Sequence, residues 1–446
     1  MHRLLVIVGA VAVATAAPAA AADPSLTDLE NRQQRLEREL EELRKAVAAE
    51  EEGERIGEVE RRQNILTDEL RRLRDALVLP ESHELVGSYG LAPAASKVYS
   101  VARGVSIGGY GEANFKNIVS DRGGTRDEFD FVRFILYVGY KFNDWIVFNS
   151  ETEFEHASTG KDGSVSVEFA ALDFLLHPAA NVRAGLLLVP VGFINEIHEP
   201  PFFHGNMRPQ VEQRIIPSTW RAPGFGLFGE ILPGLEYRTY GLTSEDARGF
   251  DSNGIRGGRQ SGSKSLADDW SWVGRLDYSV GTTFSIGGSA YVGEQDQNQT
   301  FGGRAIDALF QLYEIHAESK FQGLELRALA AVSDLDDADQ ISLEVGDTVA
   351  ETTFGWYAEI AYDVLPLLLP NTTHYLAPWF RYSRFDTQES VPDGFDREAA
   401  RDRDIYEVGL TYKPIPQVVV KLDYRNQDNR SGNDPDEIRI GAGFVF

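Results

Sequence analysis

The chain of 446 residues contains no cysteine, only two methionines and, beyond roughly its first twenty residues, no long apolar run. Without cysteine, disulfide bonds cannot stabilise the fold. A bundle of transmembrane helices is excluded, because each helix needs roughly 20 consecutive apolar residues. Basic residues number 43 against 69 acidic residues, and the formal net charge is -26. This charge argues against a nucleic-acid-binding protein, whose phosphate contacts need a basic surface.

Aromatic residues are abundant, with 25 Phe, 17 Tyr and 6 Trp. The strands of a transmembrane β-barrel are about 10 residues long and alternate apolar with polar side chains. The lack of long apolar runs is therefore compatible with a membrane protein that crosses the bilayer with strands.

The first residues have the pattern of a secretory signal. His2 and Arg3 form a short basic start, an apolar stretch follows, and small residues continue to Ala22. This order is typical of a signal peptide, with cleavage after Ala22. We therefore predict a signal peptide over residues 1–22; the alternative is a retained anchor helix.

Residues 23–80 are rich in Glu, Arg and Leu and repeat every 3.5 residues, which predicts an α-helical coiled coil. The first block of seam positions is Leu29, Gln33, Leu36, Leu40, Leu43 and Val47. The second block is Ile56, Val59, Gln63, Leu66, Leu70, Leu73 and Leu77. Gly53 and Gly57 lie at the break between the blocks. Two helical blocks of one parallel bundle are favoured over an antiparallel hairpin within one chain.

After a linker over residues 81–102, the period of the sequence changes to two. Side chains in 416–429, for example, place Val420 and Leu422 on one face and Lys421 and Asp423 on the other. The sixteen candidate strands are 104–117, 128–143, 144–157, 164–177, 180–192, 225–231, 234–244, 269–281, 282–294, 306–321, 323–335, 351–364, 373–387, 402–413, 416–429 and 436–446.

The lengths of the connections alternate between these strands. Links after even-numbered strands are mostly short and those after odd-numbered strands are long and polar, as in an up-and-down outer-membrane barrel. In lipid every backbone polar group must be paired, so the sheet must close. We predict an all-β fold over residues 103–446, a sixteen-stranded antiparallel transmembrane β-barrel preceded by the coiled coil.

Aromatic residues near the strand ends are typical of the girdles at a lipid–water boundary. The predicted girdle residues are Phe142, Trp145, Trp270, Trp272, Trp356 and Trp379. The chain also ends on an aromatic residue, Phe446, which continues the alternation of Ile440, Ala442 and Phe444.

The link over residues 192–224 differs from the other long links in its aromatic and branched apolar residues, such as Phe202, Ile216 and Trp220. Such residues predict packing against a wall, and a sixteen-stranded barrel has a lumen wide enough to admit a loop. We interpret the link as an inward constriction loop. Its candidate solute-contacting residues are Glu196, His198, Glu199, His204, Arg208, Glu212, Arg214 and Arg221. The alternative is that these charges pair with one another and hold the loop in place.

The segment NEIHEPPFFHGNMRPQVEQRIIPSTWRAPGFGLFG resembles a stretch found in the phosphate-selective porin O/P family. The resemblance implies a trimeric barrel whose inward third loop sets selectivity. An N-terminal coiled coil before the barrel is also similar to that of some trimeric porins for small organic acids. The chain departs from the family in lacking a dense basic ladder, because acidic residues are interleaved. The predicted lumen-facing basic residues are Arg133, Lys141, Arg275, Arg381, Lys421 and Arg425.

The sequence therefore predicts a porin of the bacterial outer membrane, with its coiled coil in the periplasm. Small hydrophilic solutes would diffuse passively, and the basic residues of the loop favour anions such as phosphate or carboxylates. The alternative function is a structural anchor that uses the coiled coil to bind a periplasmic partner.

The predicted partners are outer-membrane lipid, lipopolysaccharide and two further copies of the chain in a homotrimer. Acidic residues of the external loops would bridge lipopolysaccharide through divalent cations; the alternative is a solvated acidic rim. We expect no cofactor, no metal ion and no nucleic acid. Catalysis is not expected either, because neither a G-x-S-x-G nor an H-E-x-x-H motif is present.

Overall fold

The structure is a computed structural model. The residues that it describes are 87–119, 127–432, 434–446, Arg38, Glu41 and Glu42. The chain divides into two compact units, Met1–Glu84 and Leu85–Phe446. The predicted signal peptide lies outside the described residues, as does the predicted coiled coil apart from the three single residues. Among the helices described, none has both the length and the apolar character that crossing a bilayer requires.

Sixteen antiparallel strands of the described chain form one closed barrel, in which consecutive strands pair and the last strand pairs with the first. In chain order they are β1 Gly104–Ile118, β2 Glu128–Lys141, β3 Ile146–Glu155, β4 Val165–His177, β5 Ala180–Leu188, β6 Arg221–Leu232, β7 Leu235–Thr243, β8 Trp270–Val280, β9 Phe284–Glu294, β10 Leu309–Phe321, β11 Leu324–Leu335, β12 Thr352–Tyr362, β13 Tyr375–Ser390, β14 Asp402–Ile415, β15 Val418–Asn429 and β16 Glu437–Val445. The predicted sixteen-stranded antiparallel barrel is confirmed, and each strand overlaps its predicted range.

The alternation of side chains decides which face of each strand lies inside. In β15, Lys421 and Asp423 are buried in the interior, whereas Val420 and Leu422 are exposed on the outside. Successive strand residues point to opposite faces, so a period of two in the sequence becomes an apolar exterior and a charged interior. This arrangement is the reverse of a soluble barrel.

Few helices interrupt the described links. They are α1 Pro93–Ser100, α2 Val211–Arg214, α3 Ala338–Val345 and α4 Leu365–Leu368, with 3-10 turns at Pro200–Phe202, Ala247–Gly249, Ile255–Gly258 and Ala399–Arg401. A hairpin of two-residue strands, Thr300–Phe301 and Arg304–Ala305, lies apart from the barrel sheet. The link between β12 and β13, which is longer than the other links after even-numbered strands, contains α4.

The outer aromatic residues agree with the predicted girdle except at one position. Phe142, Trp145 and Trp272 are exposed on the outside, but only 3% of Trp379 is exposed. Trp379 lies inside because it is two residues from Arg381 on β13, and residues two apart on a strand point to the same face. Its predicted place in the girdle was therefore wrong, and its ring stacks on that of His204 at 5.9 Å between centroids.

Candidate functional site

The segment between β5 and β6, residues 189–220 and here named the inner loop, lies inside the barrel. It crosses the lumen to the opposite wall, where three cations of β11, β13 and β15 donate hydrogen bonds to its carbonyl oxygens. These bonds run from Arg327 Nη2 to Phe202 (3.2 Å), from Arg381 Nη1 to His204 (3.2 Å) and from Lys421 Nζ to Gly205 (2.8 Å). The far wall thus fixes the tip of the inner loop through charge-assisted bonds.

The base of the inner loop is held by apolar packing and one buried carboxylate. Ile216 and Trp220 are fully buried in the cluster that fills this side of the barrel. Glu212 accepts hydrogen bonds from the Ile194 N–H (2.6 Å) and from the Tyr357 hydroxyl (2.6 Å). Each large apolar side chain buried in this way contributes about 1.5–3 kcal/mol. The aromatic residues that predicted packing against a wall do pack there.

The far wall contains a row of charges that alternate in sign from strand to strand. In register from β10 to β16 the row is Glu318, Arg327, Glu359, Arg381, Glu407, Arg425 and Glu437. Arg381 is the best-paired member, at 2.9 Å from Glu359 and 2.7 Å from Glu407. Opposite charges that face each other across strands stabilise a sheet. The row therefore supports the wall as well as the inner loop.

A second segment, residues 87–100, lies inside the barrel against β1 to β5 and includes α1. The Asn149 side chain donates to the carbonyl of Ala95 (2.8 Å), and the Ala94 N–H donates to Glu199 of the inner loop (3.1 Å). Two inward glycines of the wall, Gly108 and Gly139, leave room for the helix. A Cβ at Gly108 would lie 2.7 Å from the carbonyl oxygen of Ala94, and a Cβ at Gly139 would lie 2.6 Å from Val98, both closer than real Cβ atoms approach other atoms. The wall is shaped to hold α1.

The link between β7 and β8, residues 244–269 and here named the outer loop, covers the inner loop. Arg259 donates to the carbonyls of Pro217 (3.1 Å) and Thr219 (2.6 Å), and Arg256 donates to that of Ser218. Glu245 of the outer loop accepts the indole N–H of Trp220. The two loops form one hydrogen-bonded layer across the lumen.

A cavity of about 340 Å³ lies between the inner loop, the outer loop and the wall formed by β1, β2 and β16. Its basic lining residues are Lys116, Arg133, His156, Arg208, Arg256 and Arg439. Its acidic lining residues are Glu112, Glu128, Asp130 and Glu155. Most of these charges are paired; Lys116, for example, is 2.7 Å from Glu128. Arg208 differs, because its buried Nε and Nη2 have no hydrogen-bond partner among the described residues.

Of the eight residues predicted to line the constriction, one, Arg208, lines the cavity. The other seven contact protein groups. Three of them belong to the first half of the inner loop: Glu196 lies near Arg238 and Arg275, His198 lies near Glu151 and Glu168, and Glu199 accepts a hydrogen bond from the Ala94 N–H.

His204 lies near Thr411 and Glu325, and Glu212 accepts hydrogen bonds from Ile194 and Tyr357. Arg221 lies near Glu168 and Ser166. Arg214 is half-buried and close enough to Arg401 and Arg403 to be repelled by their charges.

The predicted lumen-facing residues all point inward, but most of them bind the protein itself. Arg133 lines the cavity. The remaining contacts are Lys141 to the carbonyl of Tyr99, Arg275 to Asp277 and the carbonyl of Gly192, Arg381 to two glutamates, Lys421 to the carbonyl of Gly205 and Arg425 to Glu407.

Most charged residues of the cavity were missed from the sequence. They are Lys116, His156, Arg256 and Arg439 and the four acidic residues Glu112, Glu128, Asp130 and Glu155. The inward position of Arg439 follows from the alternation of side chains along β16, because its neighbours Ile438 and Ile440 are apolar and point outward. Arg256 lies in a long link whose contact with the inner loop has no local sequence signal.

Burial raises the pKa of Glu245 to about 7, although the hydrogen bond from Trp220 and the charge of Arg259 oppose the shift. The folded protein therefore binds more protons here than the unfolded chain between pH 4.5 and pH 7, and its stability falls as the pH rises through that window. The loss from this one group is about 3 kcal/mol. We expect Glu245→Gln, which keeps an acceptor for Trp220, to remove this loss.

The measurement for Glu245 is the free energy of unfolding in urea, in lipid vesicles at pH 5 and pH 8. Glu351→Gln, at an exposed loop carboxylate, is the control and should keep the wild-type difference between the two pH values. Equal pH dependence in Glu245→Gln and wild type would show that Glu245 is not desolvated.

The closed barrel with a loop folded into its lumen has the fold of outer-membrane porins. Solved structures with this fold include OmpF of Salmonella typhi in complex with daunomycin (13% identity, TM-score 0.52), which matches 77% of this chain and 98% of OmpF. The outer membrane channel DcaP of Acinetobacter baumannii has 13% identity and a TM-score of 0.51, over 77% of this chain and 97% of DcaP. An anion-selective porin from Comamonas acidovorans has 13% identity and a TM-score of 0.50, over 77% of this chain and 99% of that porin.

The chain is also 34% identical over 373 residues to an uncharacterized protein of Aquifex aeolicus (strain VF5), which corresponds to 80% of this chain and 83% of the Aquifex protein. It belongs to the same family as that protein. No family model matches the chain.

Proposed function

We propose that the protein is a porin of the bacterial outer membrane, through which small hydrophilic solutes diffuse passively. The apolar exterior fits lipid, and closure of the sheet pairs the backbone groups that lipid cannot satisfy. The observation that carries the proposal is the charged cavity of about 340 Å³ beside the inner loop. A pure anchor has no need of a charged, solvent-sized space in its lumen.

The proposed solutes are anions with planar or tetrahedral oxyanion groups, such as carboxylates and phosphate. Arg208 supports this preference, because it lines the cavity and forms no ion pair with a carboxylate among the described residues. A guanidinium group binds such oxyanions through two parallel hydrogen bonds. Acidic residues line the same cavity, so we expect a moderate anion preference.

The proposed assembly is a homotrimer with its N-terminal coiled coil in the periplasm. One solved structure with this fold, OmpT of Vibrio cholerae, is described as a trimer form (11% identity, TM-score 0.50, over 78% of this chain and 100% of OmpT). Lipopolysaccharide, bridged by divalent cations to the acidic external loops, is the proposed lipid partner.

The anion preference is tested by the reversal potential of the reconstituted protein across a gradient of potassium chloride. We expect wild type to favour chloride and Arg208→Gln to lose most of that preference, since it removes an unpaired charge from the cavity. Arg214→Gln is the matched control, because Arg214 lies in the same loop but does not line the cavity. A preference for potassium in wild type, or equal effects of the two variants, would contradict the assignment.

A further inference from the structure

Three buried side chains meet where the inner loop touches strands β3 and β4. His198 is 1% exposed, and Glu151 and Glu168 are 0% exposed. His198 lies 47 residues along the chain from Glu151, so no local spacing in the sequence indicates the cluster. The structure brings one imidazole nitrogen and one oxygen of each carboxylate within 4.8 Å of one another.

Backbone carbonyls determine which nitrogen of His198 points into the cluster. The Nδ1 atom lies 3.2 Å from the carbonyl oxygens of both Ile194 and Asn195, so it carries a hydrogen. The Nε2 atom therefore points toward the carboxylates, at 3.1 Å from Glu151 Oε1 and 3.3 Å from Glu168 Oε2. Carbonyl support of the second ring nitrogen is typical of histidines that bind a metal.

Oε2 of Glu151 has no hydrogen-bond partner among the described residues, and Oε2 of Glu168 faces His198 Nε2 at 3.3 Å. Oε1 of Glu168 is occupied by the Thr219 hydroxyl, which donates to it at 2.8 Å. A buried carboxylate oxygen without a partner is costly. A tetrahedral zinc site with bonds of about 2.0–2.1 Å has edges of about 3.3 Å. The two distances from Nε2 match those edges.

The cluster joins two buried carboxylates to one imidazole, and further buried carboxylates, Glu153 and Glu199, lie nearby. A divalent cation between Glu151 and Glu168 would balance the charge of both carboxylates when they are ionised.

We propose that His198, Glu151 and Glu168 bind one zinc ion, which ties the inner loop to the barrel wall. Zinc takes imidazole nitrogen and carboxylate oxygen as ligands and accepts three protein ligands with a fourth, water position. Thr219, beside Glu168, lines the cavity and gives the ion a route from solvent. The proposed site departs from the expectation from sequence that the protein holds no metal, and it does not depend on the solutes that pass.

The test uses the full-length protein in detergent, stripped with a chelator, dialysed and then titrated with zinc chloride. We expect one zinc per chain by elemental analysis, and a higher unfolding temperature with zinc than without it. His198→Ala and Glu168→Gln should each weaken zinc binding at least about 100-fold. Glu168→Gln keeps the shape of the side chain, so it remains informative if His198→Ala does not fold.

The matched control is His316→Ala. His316 is also buried beside two carboxylates, but its Nδ1 faces Glu314 (2.7 Å) and its Nε2 faces Asp277 (2.9 Å), so the two carboxylates cannot share one metal with either nitrogen. This variant should keep the zinc. Absence of stoichiometric zinc from wild type, or equal zinc binding by the His198 and His316 variants, would overturn the proposal and leave a doubly protonated imidazole as the balancing charge.

Discussion

Arg381→Met is expected to lower the free energy of unfolding by about 3–5 kcal/mol, because it leaves two carboxylates buried without their cation. Arg381 is 0% exposed, and its guanidinium group lies between Glu359 and Glu407. It also donates to the carbonyls of His204 and Met207 in the inner loop. The measurement is urea unfolding in lipid vesicles, followed by tryptophan fluorescence.

A compensated variant separates the buried charge from the lost contacts with the inner loop. Adding Glu359→Gln and Glu407→Gln to Arg381→Met removes the uncompensated charges, so most of the lost stability should return. The inner loop remains without its central contact to the wall in both variants. A loss below about 1 kcal/mol in Arg381→Met would show that this site is solvated rather than buried, because surface ion pairs contribute at most about that much.

Gly139→Leu is expected to raise the single-channel conductance severalfold. The side chain would occupy the space of Val98, which is fully buried under Gly139, and α1 would be displaced from the lumen. Removing a helix from an aqueous path widens the path for hydrated ions. The measurement is the distribution of current steps in planar bilayers.

Gly241→Leu is the control for this substitution. Gly241 lies on β7 between two inward residues, and nothing lies within 4 Å of a Cβ built there. A leucine at this position faces outward and should leave the conductance unchanged. Unchanged conductance in a folded Gly139→Leu protein would show that residues 87–100 do not narrow the path.

The strands could be predicted from the sequence because each barrel strand has one apolar and one polar face, and the period of two marks it without tertiary information. The same alternation predicts that Arg439 and Trp379 face inward. Trp379 lies near a strand end, which is typical of a girdle residue, but its position in the alternation decides which face it occupies.

The partners of the inward charges could not be predicted. Alternation shows that Arg381 faces the lumen, but the cross-strand register decides that it lies between two glutamates. The contact of Glu199 with α1 likewise joins residues 105 positions apart in the chain. A basic residue inside a barrel is equally suited to bind solute or to hold a loop, and only the three-dimensional register separates these roles.

The segment that the sequence marks as a linker, residues 81–102, includes α1. Its residues Ala94, Ala95 and Val98 are small or branched and are all buried. This packing could not be predicted from the sequence, because it depends on glycines of the wall that lie outside this segment and form no pattern with residues 81–102.

Whether the lumen conducts is tested most directly by recording currents from the purified protein in a planar lipid bilayer. We predict discrete steps of uniform size that persist at constant voltage, because ions pass through the charged cavity beside the inner loop. A protein that inserts fully folded into the bilayer and yet gives no current steps would contradict the assignment as a porin.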